Sequence, residues 1–353
     1  MADNPLTAGV PCPLPIHDPQ HVTLAHGEGA RATRELIRQQ IVSRFGNPTL
    51  SGLNDAAVLR TAADQIAATT DSFVVSPLFF PGGDIGTLAV YGTVNDLAVS
   101  GAVPRWLSLA LIIEEGLPLA TLGRVLDSIA GAAERCGVTV VTGDTKVVPR
   151  GAADGLFINT TGIGEFLSDA PPGPSSLRCG DVLIVSGPIG SHGLAVLTAR
   201  EELLLEPPPQ SDSAPLHQAA AALRARTGNG VRAMRDATRG GLSAVLHEWA
   251  ADCGLTMTLQ ESQIPVNEEV RGASELLGID PLHAANEGTM LVAVAPEAVD
   301  DALAALRSVS ESRLAACIGA VTEAGVVPVT IQRLLGTEQP VDEPTGAQLP
   351  RIC

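Results

Sequence analysis

Short β-forming runs alternate with helix-length segments along most of this chain, and that alternation confines it to the α/β classes. In the first half, QIAATTDSFVV reads as a strand, GTLAVYGTVNDLAVSGA as a helix and RWLSLALIIEE as a strand. LATLGRVLDSIAGAAERCG is an amphipathic helix, and VTVVTGDTKVV and LFINTTGIGEF return to strand. DAPPGPSSLRCGD has a linker's composition. A second α/β region follows, from DVLIVSGPIGSHGLAVL to about MLVAVAPEAVDDALAALRS, with EPPPQSDSAP inside it as a surface loop. These boundaries divide the chain into an arm and helix (1–48), two α/β domains (49–168 and 177–335) and a tail (336–353). In the arm, Leu36, Ile37, Ile41, Val42 and Phe45 recur at helical spacing and Gly46 ends the helix. The tail, GTEQPVDEPTGAQLPRIC, carries little apolar content and reads as mobile.

At 353 residues the chain is long enough for two ordinary domains. No apolar run is long enough to span a bilayer, and the start lacks a basic region followed by an apolar stretch, so neither a membrane segment nor a signal peptide is expected. Six scattered cysteines without a C-x-x-C pair argue against a disulfide framework and a zinc site, and fit a reducing cytoplasm. A net charge of −17 makes nucleic acid an unsuitable partner, because phosphate binding needs a basic surface. Of the 22 basic residues only Lys146 is lysine, which marks it for a task that a guanidinium cannot perform.

Acidic residues recur where a strand meets a turn: Asp55 in NDAAVL, Asp71 in TTDS, Asp96 in VNDLAVSGA, Asp144 in GDTK and Asp236 in RDATRGGL. Asp also favours turns and helix caps, so any one of them has an ordinary structural explanation. Together with Asn95 they supply the oxygen ligands that magnesium takes, leaving positions for nucleotide phosphates. Lys146 follows Asp144 by two residues, so on a strand both share a face, as a phosphate partner or a strand-end ion pair. GPIGSHG and TRGGL look like glycine turns opening helices, which suit anions. No Walker motif and no G-x-G-x-x-G after a strand is present. Glu287, in NEG before an apolar strand, suits a general base or a hairpin residue, and the pattern leaves both open. His283 reads as a surface or packing residue, and Cys136, Cys179, Cys253 and Cys317 as structural.

The stretches NDAAVL, TTDS, GTVNDLAVSGA, TGDTKVV, GDVLIVSGPIGSHG and DATRGGL, in this order, resemble the aminoimidazole ribonucleotide synthetase superfamily. TTDSFVVSPLFFPGGDIG, LFINTTGIGE and the final PRIC are similar to one branch of it, the HypE family of hydrogenase maturation carbamoyl dehydratases. The likeness runs from about His26 to Cys353. Two stretches depart from the family pattern. Asn54-Asp55 stands where Asp-Asp is usual, and Glu28 and Ala30 replace glycines of the arm motif.

The resemblance implies a two-domain PurM-like α/β (α+β) fold whose N-terminal sheets pair across a homodimer. It implies ATP and Mg2+ as cofactors, with Asp71, Ser72, Asn95, Asp96, Gly143, Asp144, Thr145, Lys146, Asp236 and Thr238 at the nucleotide and Asp55, Asp71, Asp96, Asp144 and Asp236 at the metal. It implies Cys353 as carrier of an S-carbamoyl group that is dehydrated to a thiocyanate, with Lys146 stabilising transferred charge and Glu287 as base. Arg351 would offset the α-carboxylate's effect on the Cys353 thiol or anchor the tail. The implied partners are the carbamoyltransferase HypF and the iron-carrying HypC–HypD complex. A small-molecule kinase or synthetase of the same superfamily, of the selenophosphate or thiamine-phosphate type, is the other enzymatic reading. A non-catalytic nucleotide-binding scaffold is the third.

Overall fold

A computed structural model of the chain describes residues 20–28, 31–51 and 56–344. Asp55, Arg351 and Cys353 lie outside the described residues. The arm forms a helix from Arg31 to Phe45, with a π-helical stretch at Ile37–Val42, and Gly46 follows it. Its apolar stripe buries Leu36 and Phe45, and Arg44 Nε reaches Asp127 of the Leu119–Cys136 helix at 2.6 Å.

The first half folds into a four-stranded sheet in the order β1-β6-β4-β5: β1 Ile66–Phe73, β4 Val103–Glu114, β5 Thr139–Val148 and β6 Leu156–Glu165. A short hairpin, β2 Phe79–Phe80 with β3 Gly83–Asp84, leads into the Ile85–Val99 helix. That helix starts where the Asp84 carboxylate accepts the amides of Gly86 and Thr87. It and the Leu119–Cys136 helix cover one face of the sheet. IGTLAVYGTVNDLAV is apolar on nearly every side, so this helix must be covered all round. The sheet covers one side and the second domain the other, where Ala98 and Val99 join a core with Leu216, Leu223 and Met290.

The second half forms a seven-stranded sheet in the order β13-β12-β9-β11-β7-β10-β8. Its strands are β7 Val182–Val185, β8 Val231–Asp236, β9 Thr256–Gln260, β10 Met290–Val294, β11 Ala316–Thr322, β12 Val329–Gln332 and β13 Glu338–Pro340. The His217–Thr227 and Val299–Arg307 helices pack on one face and the Gly241–Cys253 helix on the other. Every residue of β10 is therefore buried, which is why MLVAV reads as a continuous apolar run.

Two expectations need correction. The loop at 206–215 is not wholly on the surface. Its second half threads between the domains: Ser211 N–H bonds the Pro81 carbonyl at 2.9 Å, and a Cβ on Gly288 would stand 1.8 Å from the Asp212 carbonyl oxygen. Proline and serine content marks a turn-rich path, not its exposure. The tail does not begin at 336 either, because β13 pairs with β12 and Val341 is buried, so packed chain continues through Pro344. A single valine among polar residues carries that anchoring.

Gly143 has a backbone task. Val141 opens a register shift between β4 and β5, and a Cβ on Gly143 would meet the Leu109 carbonyl oxygen at 2.0 Å. Gly143→Ala is expected to destabilise the protein by roughly 1–3 kcal/mol, the cost of overpacking. A thermal unfolding midpoint equal to that of the parent protein would contradict this.

Candidate functional site

Side chains alternate across a strand and recur every three to four residues on a helix, and these two periods assemble the site. On β1, Thr69 and Asp71 face the Ile85–Val99 helix, which answers with Thr93 and Asp96. Thr69 Oγ1 donates to Asp96 Oδ2 at 2.6 Å, and Thr93 Oγ1 donates to Asp71 Oδ2 at 3.1 Å. Asp236 ends β8 of the second domain, paired with Met290 of β10, and Glu287 precedes β10 by three residues. These four carboxylates, with Ser72, Phe73, Gly92, Thr238 and Arg239, line a pocket of about 170 Å3 at the domain junction.

Three of the pocket's carboxyls, Asp71, Asp236 and Glu287, are pushed above the ordinary carboxylate range. Burial, then repulsion from Asp96, raises Asp71 to about 6, against smaller opposite effects of the Thr93 hydrogen bond and the Arg239 charge. Burial and Asp96 raise Asp236 to about 7. Burial raises Glu287 well above the usual carboxylate range, reinforced by Asp236, Asp212, Asp71 and Asp96. Among the described residues no hydrogen bond to the Glu287 side chain offsets its desolvation.

The remaining predicted residues are distributed unevenly. Ser72 and Thr238 border the pocket. Asn95 does not point into it: Nδ2 donates to the Ala214 and Glu287 carbonyls at 3.0 and 3.3 Å, and Oδ1 accepts the Leu216 amide at 2.7 Å. Asn95 thus pins the 211–216 segment to the helix. Gly143, Asp144, Thr145 and Lys146 sit on β5, at the sheet edge opposite β1. Thr145 is buried on the helix side, while exposed Asp144 and Lys146 pair at 3.2 Å on the open face.

Sequence reasoning missed three residues. Asp212 is half-buried, and its Oδ1 and Oδ2 accept the amides of Glu287 and Gly288 at 3.1 and 3.0 Å, fixing the backbone that presents Glu287. Its place in a Pro/Ser loop hid it. Arg239 is a cation at the pocket, and the TRGGL motif held the only signal for it. Asn286 donates to Ala237 and Ala284 carbonyls and accepts the Gly190 amide at 2.7 Å, knitting the two glycine turns to the pocket floor. Gly190 and Gly240 both take positive φ as they open helices.

Comparison with known proteins decides the family. The N-terminal domain of AIR synthase related proteins matches residues 53–166 and the C-terminal domain of the same proteins matches 178–332. The carbamoyl dehydratase HypE of Escherichia coli (strain K12) is 47% identical over 338 residues, covering 94% of this chain and 99% of that protein. The chain belongs to the HypE family. A HypE solved in complex with ATP superposes with a TM-score of 0.90 at 44% identity, over 94% of this chain and 99% of the other. A HypE–HypF complex gives 0.77 at 43% identity, over 88% and 99%. As in these family members, two α/β domains make up the chain, and among the described residues no helix is long and apolar enough to cross a membrane.

The raised carboxyls have a stability consequence. Asp236 is a free carboxylate in the unfolded chain above about pH 4 but holds its proton in the folded one up to about 7. The fold therefore loses stability as pH rises through this window. Asp236→Asn, which cannot ionise, is expected to raise the melting temperature of the ligand-free protein at pH 8 and to change it far less at pH 5. A larger gain at pH 5 would reverse the argument.

Proposed function

We propose that the chain dehydrates an S-carbamoyl group on Cys353 to a thiocyanate at the expense of ATP, supplying cyanide ligands for the iron of nickel–iron hydrogenase. The observation that carries this reading is the buried carboxylate pocket at the domain junction in a chain that aligns with HypE over nearly its whole length. An ATP complex of a relative 44% identical supports nucleotide binding. Relatives of this identity favour the dehydratase over a small-molecule kinase or synthetase.

Amide oxygen is a poor leaving group. Transfer of the γ-phosphoryl to the carbamoyl oxygen forms one P–O bond and breaks the bond to the ADP oxygen. The C–O bond then breaks with its electron pair leaving on phosphate, and the two N–H protons depart as C≡N forms. Glu287 is the base in this reading: burial and repulsion keep its proton affinity high, which suits removal of a weakly acidic N–H proton. Asp212 holds the Glu287 backbone in place, and Arg239 offers positive charge beside the phosphates.

Asp71, Asp96 and Asp236 are hard oxygen donors whose mutual repulsion a cation would relieve. Among the described residues no three acidic, His or Cys groups converge as a metal cage. That fits Mg2+, which is commonly held by one or two carboxylates with phosphate and water completing its shell. When bound, Mg2+ would neutralise the transferred phosphoryl group. Ser72 and Thr238 would border the nucleotide, and Asp55 and Arg351 keep the metal and tail-anchoring roles expected of them.

The open face of the four-stranded sheet carries half-exposed Trp106, Phe157 and Ile163 and exposed Ile112 among threonines and serines. An apolar sheet face of this kind calls for cover, and we assign it to a second copy of the chain as a homodimer. Asp144 and Lys146 lie on that face, so they would act at the seam between subunits. HypF is the proposed partner that loads Cys353, and the HypC–HypD complex the one that receives cyanide, in the cytoplasm. We place the domain limits at 49–168 and 177–344, a reading supported by the family matches at 53–166 and 178–332 and by the packing of β13 and Val341.

Mass spectrometry of the C-terminal peptide tests the reading. Incubation with the carbamoyltransferase, carbamoyl phosphate and Mg-ATP should add a carbamoyl group to Cys353, which loses one water only when ATP is hydrolysable. Glu287→Gln should accumulate the carbamoylated form, with dehydration slowed by roughly 10²-fold or more. An unmodified Cys353 alongside ATP consumption would instead favour the kinase or synthetase reading.

A further inference from the structure

The segment just before the last nine residues is anchored on the second domain. The β12–β13 hairpin is locked by Arg333, whose Nε bonds Gln339 at 3.0 Å and whose Nη1 bonds Glu261 at 2.9 Å. Val341 then donates its amide to the Val329 carbonyl at 3.0 Å and buries its side chain in the second domain's core. At the next residue, the Asp342 carbonyl accepts Ser243 Oγ at 2.8 Å and lies 3.0 Å from His283 Nε2. One carbonyl has two lone pairs, and both are engaged. Pro344 packs over Gly240, where an added Cβ would lie 3.6 Å from the proline ring.

Both donors belong to elements that frame the pocket. Ser243 is in the first turn of the Gly241–Cys253 helix, directly after pocket-lining Thr238 and Arg239. His283 lies in the turn four residues before Glu287. Gly241, at φ +63, lets these two elements touch, since a Cβ there would meet the Leu282 and Ala284 carbonyl oxygens at 2.5 and 2.7 Å. We propose that Ser243 and His283 are positioning residues: they clamp the Asp342 carbonyl and fix, at the rim of this chain's own pocket, the pivot from which the carrier segment leaves.

This proposal rests on the dehydratase reading and adds a consequence for tethering. Cys353 follows Pro344 by nine residues, a span of at most ~30 Å. The local concentration of a tethered group falls roughly as the −3/2 power of tether length. Loss of the clamp would free the chain back to Val341, which Val329 still holds, lengthen the tether from nine residues to 12, and so dilute Cys353 about 1.5-fold. The clamp therefore speeds delivery without touching the reacting atoms.

The test compares tethered and free substrate in the full-length protein. Single-turnover dehydration of carbamoylated Cys353 should slow about 1.5-fold in Ser243→Ala/His283→Ala. Dehydration of the free S-carbamoyl peptide TGAQLPRIC, by proteins with Cys353→Ser, should be the same with or without the two substitutions. Hydrogen exchange at the Val341 amide, bonded to Val329, should stay slow in both proteins, which places the release at Asp342. An unchanged tethered rate, an equal loss with the free peptide, or lost Val341 protection would each overturn the clamp. If the parent protein dehydrates neither substrate, the dehydratase reading fails instead. His283→Gln, which keeps a donor, should recover part of the tethered rate; no recovery would leave histidine's role to packing and also overturn the proposal.

Discussion

Carboxylates from two separate domains meet in one pocket and repel one another, and the rest of the architecture holds them there. Asp71 and Asp96 come from the first domain, Asp236 and Glu287 from the second, and burial strengthens every repulsion among them. The opposing forces are apolar packing along the Ile85–Val99 helix and a set of directed hydrogen bonds. Asn95, Asn286 and Asp212 bind backbone on both sides of the junction. A pocket built this way is unstable by itself and stable with cations and phosphates in it, which is the property a nucleotide site needs.

The same junction explains why buried polar residues gather where a simple core would be apolar. Asp212 accepts two amides, and Asn286 satisfies both ends of its side chain. Each restrains a backbone turn that no side-chain packing could hold to the same accuracy. Gly288 and Gly143 serve in the opposite way, by having no side chain where another backbone passes. Under the dehydratase reading these residues set where Glu287 stands, and the β13 anchor sets where its substrate starts.

Much of the fold was legible in the sequence because period-2 and period-3.6 patterns report which faces are covered. The strands and helices of the first domain follow their apolar patterns closely, and β10 reads as buried on both sides. The acidic residues were legible as a set but not in their placement: Asp71 and Asp144 lie within β1 and β5 and Asp96 within the Ile85–Val99 helix, while Asp236 ends β8 as the turn pattern led one to expect. Their division was not legible either. Alternation along β5 places Asp144 and Lys146 on one face, but only the strand order β1-β6-β4-β5 puts that face and that edge away from Asp71.

The sequence by itself determined the fold class, the family and the residue types of the pocket, because these depend on local pattern and on motif order. Tertiary structure alone decided the partners: that Asn95 spends its amide on backbone, that Asp212 supports Glu287, and that Ser243 and His283 reach Asp342. Those contacts join residues 59 to 192 positions apart. No local periodicity encodes such pairs, since they exist only once two sheets and their helices have fixed one another in space.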